Sequence, residues 1–205
     1  PSWKIIPALV TGNTIVWKPS EDVPACSYAF AKIVQGAGLP AGVFNVVFGG
    51  GKDAAGQYLI EMMDEGLIDK MAFTGSSAVG RYVGEVAGRN LQHPTLELGG
   101  KNPLVVMRDA DLDNAVQGAV FSAFATGGQR CTSAGNVIVD APIYDEFKSR
   151  FLDAVKKIRI GDPLVTEDVL YGPFINERFF ERWNKQYEWG EKDGTTLLYG
   201  EGRIT

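Results

Sequence analysis

Two residues in this sequence carry side chains suited to covalent chemistry and its proton transfers. One is Cys131, in the run Gly127-Gly128-Gln129-Arg130-Cys131-Thr132-Ser133, and the other is Glu97, in Leu96-Glu97-Leu98-Gly99-Gly100-Lys101. Cys131 falls in a turn between a predicted helix and a predicted strand, where glycines expose the thiol and Arg130 puts a positive charge nearby, a setting that favours the thiolate nucleophile. The competing reading is a small core residue, the usual place of a free cysteine. Cys26, inside a predicted helix beside Ala25 and Tyr28, is read in that second way. Glu97 ends a predicted strand, and alternation turns its side chain away from Leu96 and Leu98 towards the sheet edge. Partial burial there would raise its pKa and suit a general base, whereas full solvation would leave an ordinary surface glutamate.

Further positions could bind a ligand. Lys18-Pro19-Ser20-Glu21 follows the first predicted strand, where open α/β sheets bind their ligands, and Lys18 and Glu21 could donate to and accept from ribose hydroxyls. A polar turn with Ser20 as a helix cap explains the same residues. Gly49-Gly50-Gly51-Lys52-Asp53-Ala54 matches the G-x-G-x-x-A pattern of dinucleotide sites, a weak signal taken alone. Phe73-Thr74-Gly75-Ser76 is another strand-to-helix turn, whose Ser76 can cap the helix or face a phosphate. Gly99-Gly100-Lys101 is not a P-loop, because Thr95 and Asn102 stand where Gly and Ser or Thr would be required. With one histidine, His93, read as an exposed loop residue, and no Cys or His cluster, a metal site is not expected.

The elements that must position these residues alternate. Strands are predicted at Thr14 to Trp17, Val43 to Phe48, Lys70 to Thr74 and Thr95 to Leu98. Helices are predicted from Val23 to Ala37, from near Asp53, and from Ser77 to Gly88. Repeated units of this kind imply an α/β fold, a parallel sheet with helices on its faces. The texture changes after Gly99-Gly100, with a strand at Pro103 to Met107, a helix from Asp111 to Ala125 and a strand at Gly135 to Asp140. Helices follow at Ile143 to Ile158 and Arg178 to Lys192, before Thr195 to Tyr199. Two domains are therefore expected, over residues 1–99 and 100–205.

Composition narrows the function class. The chain of 205 residues is 45% hydrophobic and 22% charged, enough to bury a core in a globular protein. Its 20 basic and 25 acidic residues leave a net charge of −5, without a basic cluster long enough to follow nucleic acid. Apolar runs fall far short of the roughly 20 residues that span a bilayer. Two cysteines argue against a disulfide scaffold and for a reducing cytosol. The sequence opens at Pro1 without a methionine and closes on Gly202-Arg203-Ile204-Thr205, which reads as an excerpt of a longer polypeptide.

Taken together, Trp17-Lys18-Pro19-Ser20-Glu21, Phe73-Thr74-Gly75-Ser76 with Val79-Gly80 behind it, the Leu96 to Lys101 run and Gly128-Gln129-Arg130-Cys131-Thr132 resemble the aldehyde dehydrogenase superfamily. The order of these motifs and the separation of Glu97 from Cys131 match that family, and Val169-Leu170-Tyr171-Gly172-Pro173 is similar to a further family segment. The resemblance implies a Rossmann-like cofactor domain followed by part of a catalytic domain. It implies NAD(P)-dependent oxidation of an aldehyde to an acid, with Cys131 as nucleophile and Glu97 activating the hydrolytic water. Lys18, Ser20 and Glu21 match the adenosine-ribose contacts, and Gly51, Gly75 and Ser76 match positions around the adenine and pyrophosphate. Phe73, Thr74 and Val79 belong to the same cofactor surface, Leu98 and Gly99 lie near the nicotinamide, and Trp3 leads into the substrate passage.

NAD is expected over NADP because Glu21 would repel a 2′-phosphate. Ala125 and Thr132 suggest a thiol not ringed by aromatics, in keeping with a polar aldehyde or semialdehyde. The family's oxyanion asparagine would fall before Pro1, and the acidic residue on the nicotinamide ribose beyond Thr205. The resemblance thus implies a homodimeric or homotetrameric parent enzyme and an excerpt inactive by itself. A cofactor-binding piece without catalysis and a CoA-acylating enzyme are the alternatives.

Overall fold

The computed structural model describes residues 1–200. Backbone packing divides the chain into two compact units, Pro1–Leu98 and a second that opens at Gly99. In the first, helix α1 (Ser2–Val10) leads to strand β1 (Ile15–Trp17), helix α2 (Pro24–Gly36), strand β2 (Phe44–Val46) and helix α3 (Ala55–Asp64). Strand β3 (Ala72–Gly75), helix α4 (Ser77–Arg89) and strand β4 (Thr95–Leu98) complete it. The second unit holds strand β5 (Asn102–Val106), helix α5 (Leu112–Phe124), strand β6 (Ala134–Val139), and helices α6 (Tyr144–Val155) and α7 (Glu177–Lys192).

The pairing is parallel throughout, as the alternation of elements requires. Among the described residues it forms three two-stranded ladders, β1 on β2, β3 on β4 and β5 on β6. Each ladder is crossed over by one helix, α2, α4 or α5, and two of these start on a side chain that accepts the first free amides. Ser76 Oγ accepts from Val79 N at 3.3 Å to start α4, and Asp111 Oδ1 accepts from Asp113 N and Asn114 N at 3.0 and 3.1 Å to start α5.

The helix expected from near Asp53 is α3, which opens at Ala55, because Asp53 itself takes a left-handed φ of 53°. The N-terminal segment, not assigned to an element from sequence, is the helix α1 with Pro7 inside it, a residue that usually breaks a helix. Thr195 to Tyr199 takes no regular structure.

The apolar faces meet in two separate cores. Ile60 and Met63 of α3 pack on Val83, Val86 and Ala87 of α4, backed by Met71, Phe73 and Leu96. In the second unit Val106, Val116, Ala119 and Phe147 form the centre, with the Phe147 and Phe151 rings stacked at 5.7 Å. Beyond the ends of β5 and β6, Arg108 Nε donates to Asp140 Oδ2 at 2.7 Å, and that hydrogen bond holds the Asp140 carboxyl below the usual carboxylate range.

Met63 is fully buried, while its neighbour Met62 is 43% exposed. Met63→Ala is therefore expected to cost about 2–5 kcal/mol and Met62→Ala less than about 1 kcal/mol. Denaturant midpoints of the two variants check the difference, and equal shifts would contradict this packing.

Candidate active site

The candidate residues of the first unit gather at the carboxyl ends of its strands. β1 and β2 run side by side, Trp17 opposite Val46, so the turns that leave them are neighbours. Lys18 ties these turns together. Its Nζ donates to the Gly49 carbonyl at 3.0 Å and lies 3.4 Å from Glu21 Oε2, with 16% of the lysine side chain and 45% of the glutamate side chain exposed. Ser20 does not cap α2. Its Oγ accepts from Asp22 N at 3.3 Å within the turn, and the helix starts at Pro24, where a proline needs no cap on its missing N–H.

The Gly49-Gly50-Gly51 loop departs from a phosphate cradle. Gly56 N and Gln57 N in the first turn of α3 donate to the Gly50 and Gly51 carbonyls at 3.0 and 2.8 Å, so these amides are already used. Gly51 itself is exposed. The start of α4 is different. Ser76 takes the Val79 amide, while the Ser77 and Ala78 amides stand at the positive end of the helix, a place suited to an anion.

β3 and β4 bring the α4 turn beside Glu97. Their register sets Phe73 opposite Leu96, Thr74 opposite Glu97 and Gly75 opposite Leu98. Phe73 and Leu96 face the core, so Thr74 and Glu97 share the other face, and both are exposed. Glu97 is exposed in this chain, where partial burial was expected. Two glycines make this packing possible. A Cβ at Gly75 would meet Phe73 Cζ at 2.5 Å, and one at Gly80 would meet Leu98 Cδ2 at 2.5 Å. Phe73 and Leu98 are thus packing residues of this edge. Val79 is exposed on the first turn of α4, Gly99 is exposed directly after β4, and Trp3 is 93% exposed on α1.

In the second unit Cys131 is exposed on a turn between α5 and β6, the first of the two readings its sequence left open. The chain reaches it through three consecutive left-handed residues, Thr126, Gly127 and Gly128, with φ of 56°, 64° and 68°. Thr126 has no glycine's freedom there, and its conformation is supported by hydrogen bonds from Arg130 Nε to Oγ1 at 3.2 Å and from Gln129 Nε2 to its carbonyl at 3.2 Å. Arg130 lies over the Phe121 ring at 5.4 Å, so its charge is directed at Thr126 and Phe121. Asn102, overlooked in the sequence except as a mismatch to the P-loop, donates from Nδ2 to the Cys131 and Ser133 carbonyls at 2.7 and 2.9 Å. Tyr171, of the Val169 to Pro173 run, has Cδ2 3.7 Å from where a Cβ on Gly127 would stand, and burial pushes its phenol up.

One expectation about the cysteines is corrected, since Cys26 is exposed rather than a core residue. Ala125 is buried, and the exposed Phe121 ring lies against Arg130, the residue before Cys131. Among the described residues no helix is long and apolar enough to cross a membrane, and no group of three potential metal ligands occurs.

With both units described, the comparisons with known proteins identify the class. Residues 1–204 match the model of the aldehyde dehydrogenase family, and the chain belongs to that family. It is 45% identical over 201 residues to human aldehyde dehydrogenase 1A1, covering 98% of this chain and 39% of that protein. Its structure is similar to lactaldehyde dehydrogenase from Escherichia coli, with a TM-score of 0.89 and 41% identity over 96% of this chain and 40% of the other. Betaine aldehyde dehydrogenase from Staphylococcus aureus, solved in complex with NAD+, gives a TM-score of 0.91 at 32% identity, covering all of this chain (100%) and 39% of the other. The chain thus spans about two-fifths of the length of these relatives.

The Phe73 and Gly75 contact is open to a direct test. Gly75→Ala is expected to cost about 1–3 kcal/mol by forcing the Phe73 ring aside, and Phe73→Leu in the same molecule should recover part of that loss. Thermal unfolding of the single and double variants checks it, and strictly additive effects would contradict the contact.

Proposed function

We propose that the protein containing this chain oxidises an aldehyde to a carboxylic acid with NAD as acceptor. Cys131 is the nucleophile and Glu97 the general base. The supporting observation is the register of β3 on β4, which sets the Glu97 carboxylate on the same exposed face as Thr74, next to the Gly75-Ser76 turn and the mouth of α4. The first unit is read as cofactor-binding and the second as carrying the nucleophile.

The residues present fit a dinucleotide. Lys18 and Glu21 offer a donor and an acceptor to ribose hydroxyls, and the α4 mouth with Ser76 offers amides to a phosphate. Ser20, Gly51, Phe73, Val79, Leu98 and Gly99 complete that surface as close-packed or exposed neighbours, and Trp3 is assigned to the substrate side. When bound, the nicotinamide supplies the acceptor for the aldehyde's hydride. This chain's part begins with the Cys131 thiolate, which adds to the carbonyl carbon to give a thiohemiacetal. Loss of hydride from that carbon leaves a thioester on Sγ. Glu97 then takes a proton from water as the water attacks the thioester, releasing the acid and restoring the thiol. An exposed thiol that must stay reduced fits a reducing compartment.

Expression of the full open reading frame and assay of propanal, benzaldehyde and a semialdehyde with both cofactors tests the proposal. Cys131→Ala should abolish aldehyde-dependent NADH formation, and the product should be a free acid without CoA. Retained turnover in Cys131→Ala would sink the nucleophile assignment, and a strict need for CoA would sink the role given to Glu97.

Cofactor choice gives a second outcome. At an exposed site, removing one like charge near a 2′-phosphate is worth about 1 kcal/mol, so Glu21→Gln should raise the ratio of NADP to NAD use about fivefold. An unchanged ratio in initial-rate measurements would contradict the place given to Glu21.

A further inference from the structure

We propose that Asn102 is a positioning residue for the nucleophile, acting through both hydrogens of its carboxamide. The proposal rests on the reading of Cys131 as the nucleophile. Asn102 opens β5 opposite Ala134, but the next pair is Pro103 with Asn136, so Gly135 is an extra residue on β6. This bulge brings the strand start close under the turn. A Cβ at Gly135 would lie 2.8 Å from Lys101 Cα, a backbone atom that cannot step aside. From this position Nδ2 donates to the Cys131 carbonyl at 2.7 Å and to the Ser133 carbonyl at 2.9 Å, one on each side of Thr132.

The turn therefore depends on Asn102 more than on its own ladder. Its other fixings are short-range or lie at its margin, namely Arg130 N to Ser133 Oγ at 3.3 Å, Ser133 N to Arg130 O at 3.1 Å and Ala134 N to Ser122 Oγ at 3.1 Å. Among these, only the Asn102 bond to the Cys131 carbonyl holds the Cys131 backbone itself, and it comes from 29 residues away along the chain. An exposed cysteine on a turn with three left-handed residues before it would otherwise sample several orientations. Two carbonyls fixed on one rigid amide restrict the Cα–Cβ direction from which Sγ is aimed.

Asparagine is the side chain this geometry requires. A serine offers one hydrogen, and an aspartate of the same size offers none while setting a carboxylate against two carbonyl oxygens. Misplacing a reacting group by about 1 Å can cost about 100-fold in rate, which sets the size of the expected effect.

The test uses the full-length protein and four variants, Asn102→Asp, Asn102→Ala, Asn102→Ser and Cys131→Ser. Amide hydrogen exchange should speed up in the segment 126–136 of Asn102→Ala and Asn102→Asp while α3, α4 and α6 exchange as before. With propanal and benzaldehyde, kcat should fall about 100-fold in both and less in Asn102→Ser, with the KM for NAD within about twofold of the parent. A space-filling role would survive Asn102→Asp, so a normal kcat and unchanged exchange in that variant would overturn the proposal. Faster exchange throughout the molecule, with NAD binding lost as well, would also overturn it by assigning Asn102 to global stability. Cys131→Ser separates the two readings, since aldehyde oxidation retained there would end the nucleophile assignment, whereas the exchange result for Asn102 stands independently.

Discussion

The parallel register of β3 on β4 is the constraint on which the candidate chemistry of the first unit depends. Side chains alternate between faces along each strand, so setting Phe73 and Leu96 into the core forces Thr74 and Glu97 outward together. A slip of one residue would drive the Glu97 carboxylate towards Met63 and Val83 and turn a core leucine into water. The register is thus held by burial, and the position of the carboxylate follows from it. Gly75 and Gly80 serve the same end, because they are the points at which the Phe73 ring and the Leu98 side chain need space.

The second unit solves a different problem, how to expose a thiol yet hold it still. Burial cannot do this, so hydrogen bonds do. Left-handed backbone at Thr126, Gly127 and Gly128 turns the chain out of α5, and side chains from beyond the turn then restrain it. Asn102 reaches it from β5 and Ser122 from α5, and Tyr171 packs behind Gly127.

Much of this was legible from residue order. Periodicity located β4 at its observed ends and α4 and α5 to within a residue or so, and the cap at Ser76 was foreseen. For Cys131 the sequence left an exposed thiol and a core residue both open, and the structure shows it exposed. What escaped was decided by contacts distant in sequence. Nothing local marks Asn102 as a partner of Cys131, because the bulge at Gly135 that joins them exists only once β5 and β6 pair. The helix expected from near Asp53 opens two residues later, at Ala55, because Asp53 takes a left-handed φ. The helix α1, with Pro7 inside it, was not assigned from sequence, and Glu97, expected to be partly buried at the sheet edge, is exposed.

In the proposed reaction one carbon is held on Cys131 and released by water that Glu97 activates. Its most direct test is mass spectrometry of the Cys131 peptide after mixing the full-length Glu97→Gln variant with aldehyde and NAD. An acyl mass is expected on that cysteine, accumulating to about one per site, with about one equivalent of NADH formed and little free acid. Rapid steady turnover with an unmodified Cys131, or an acyl group on any other residue, would contradict it.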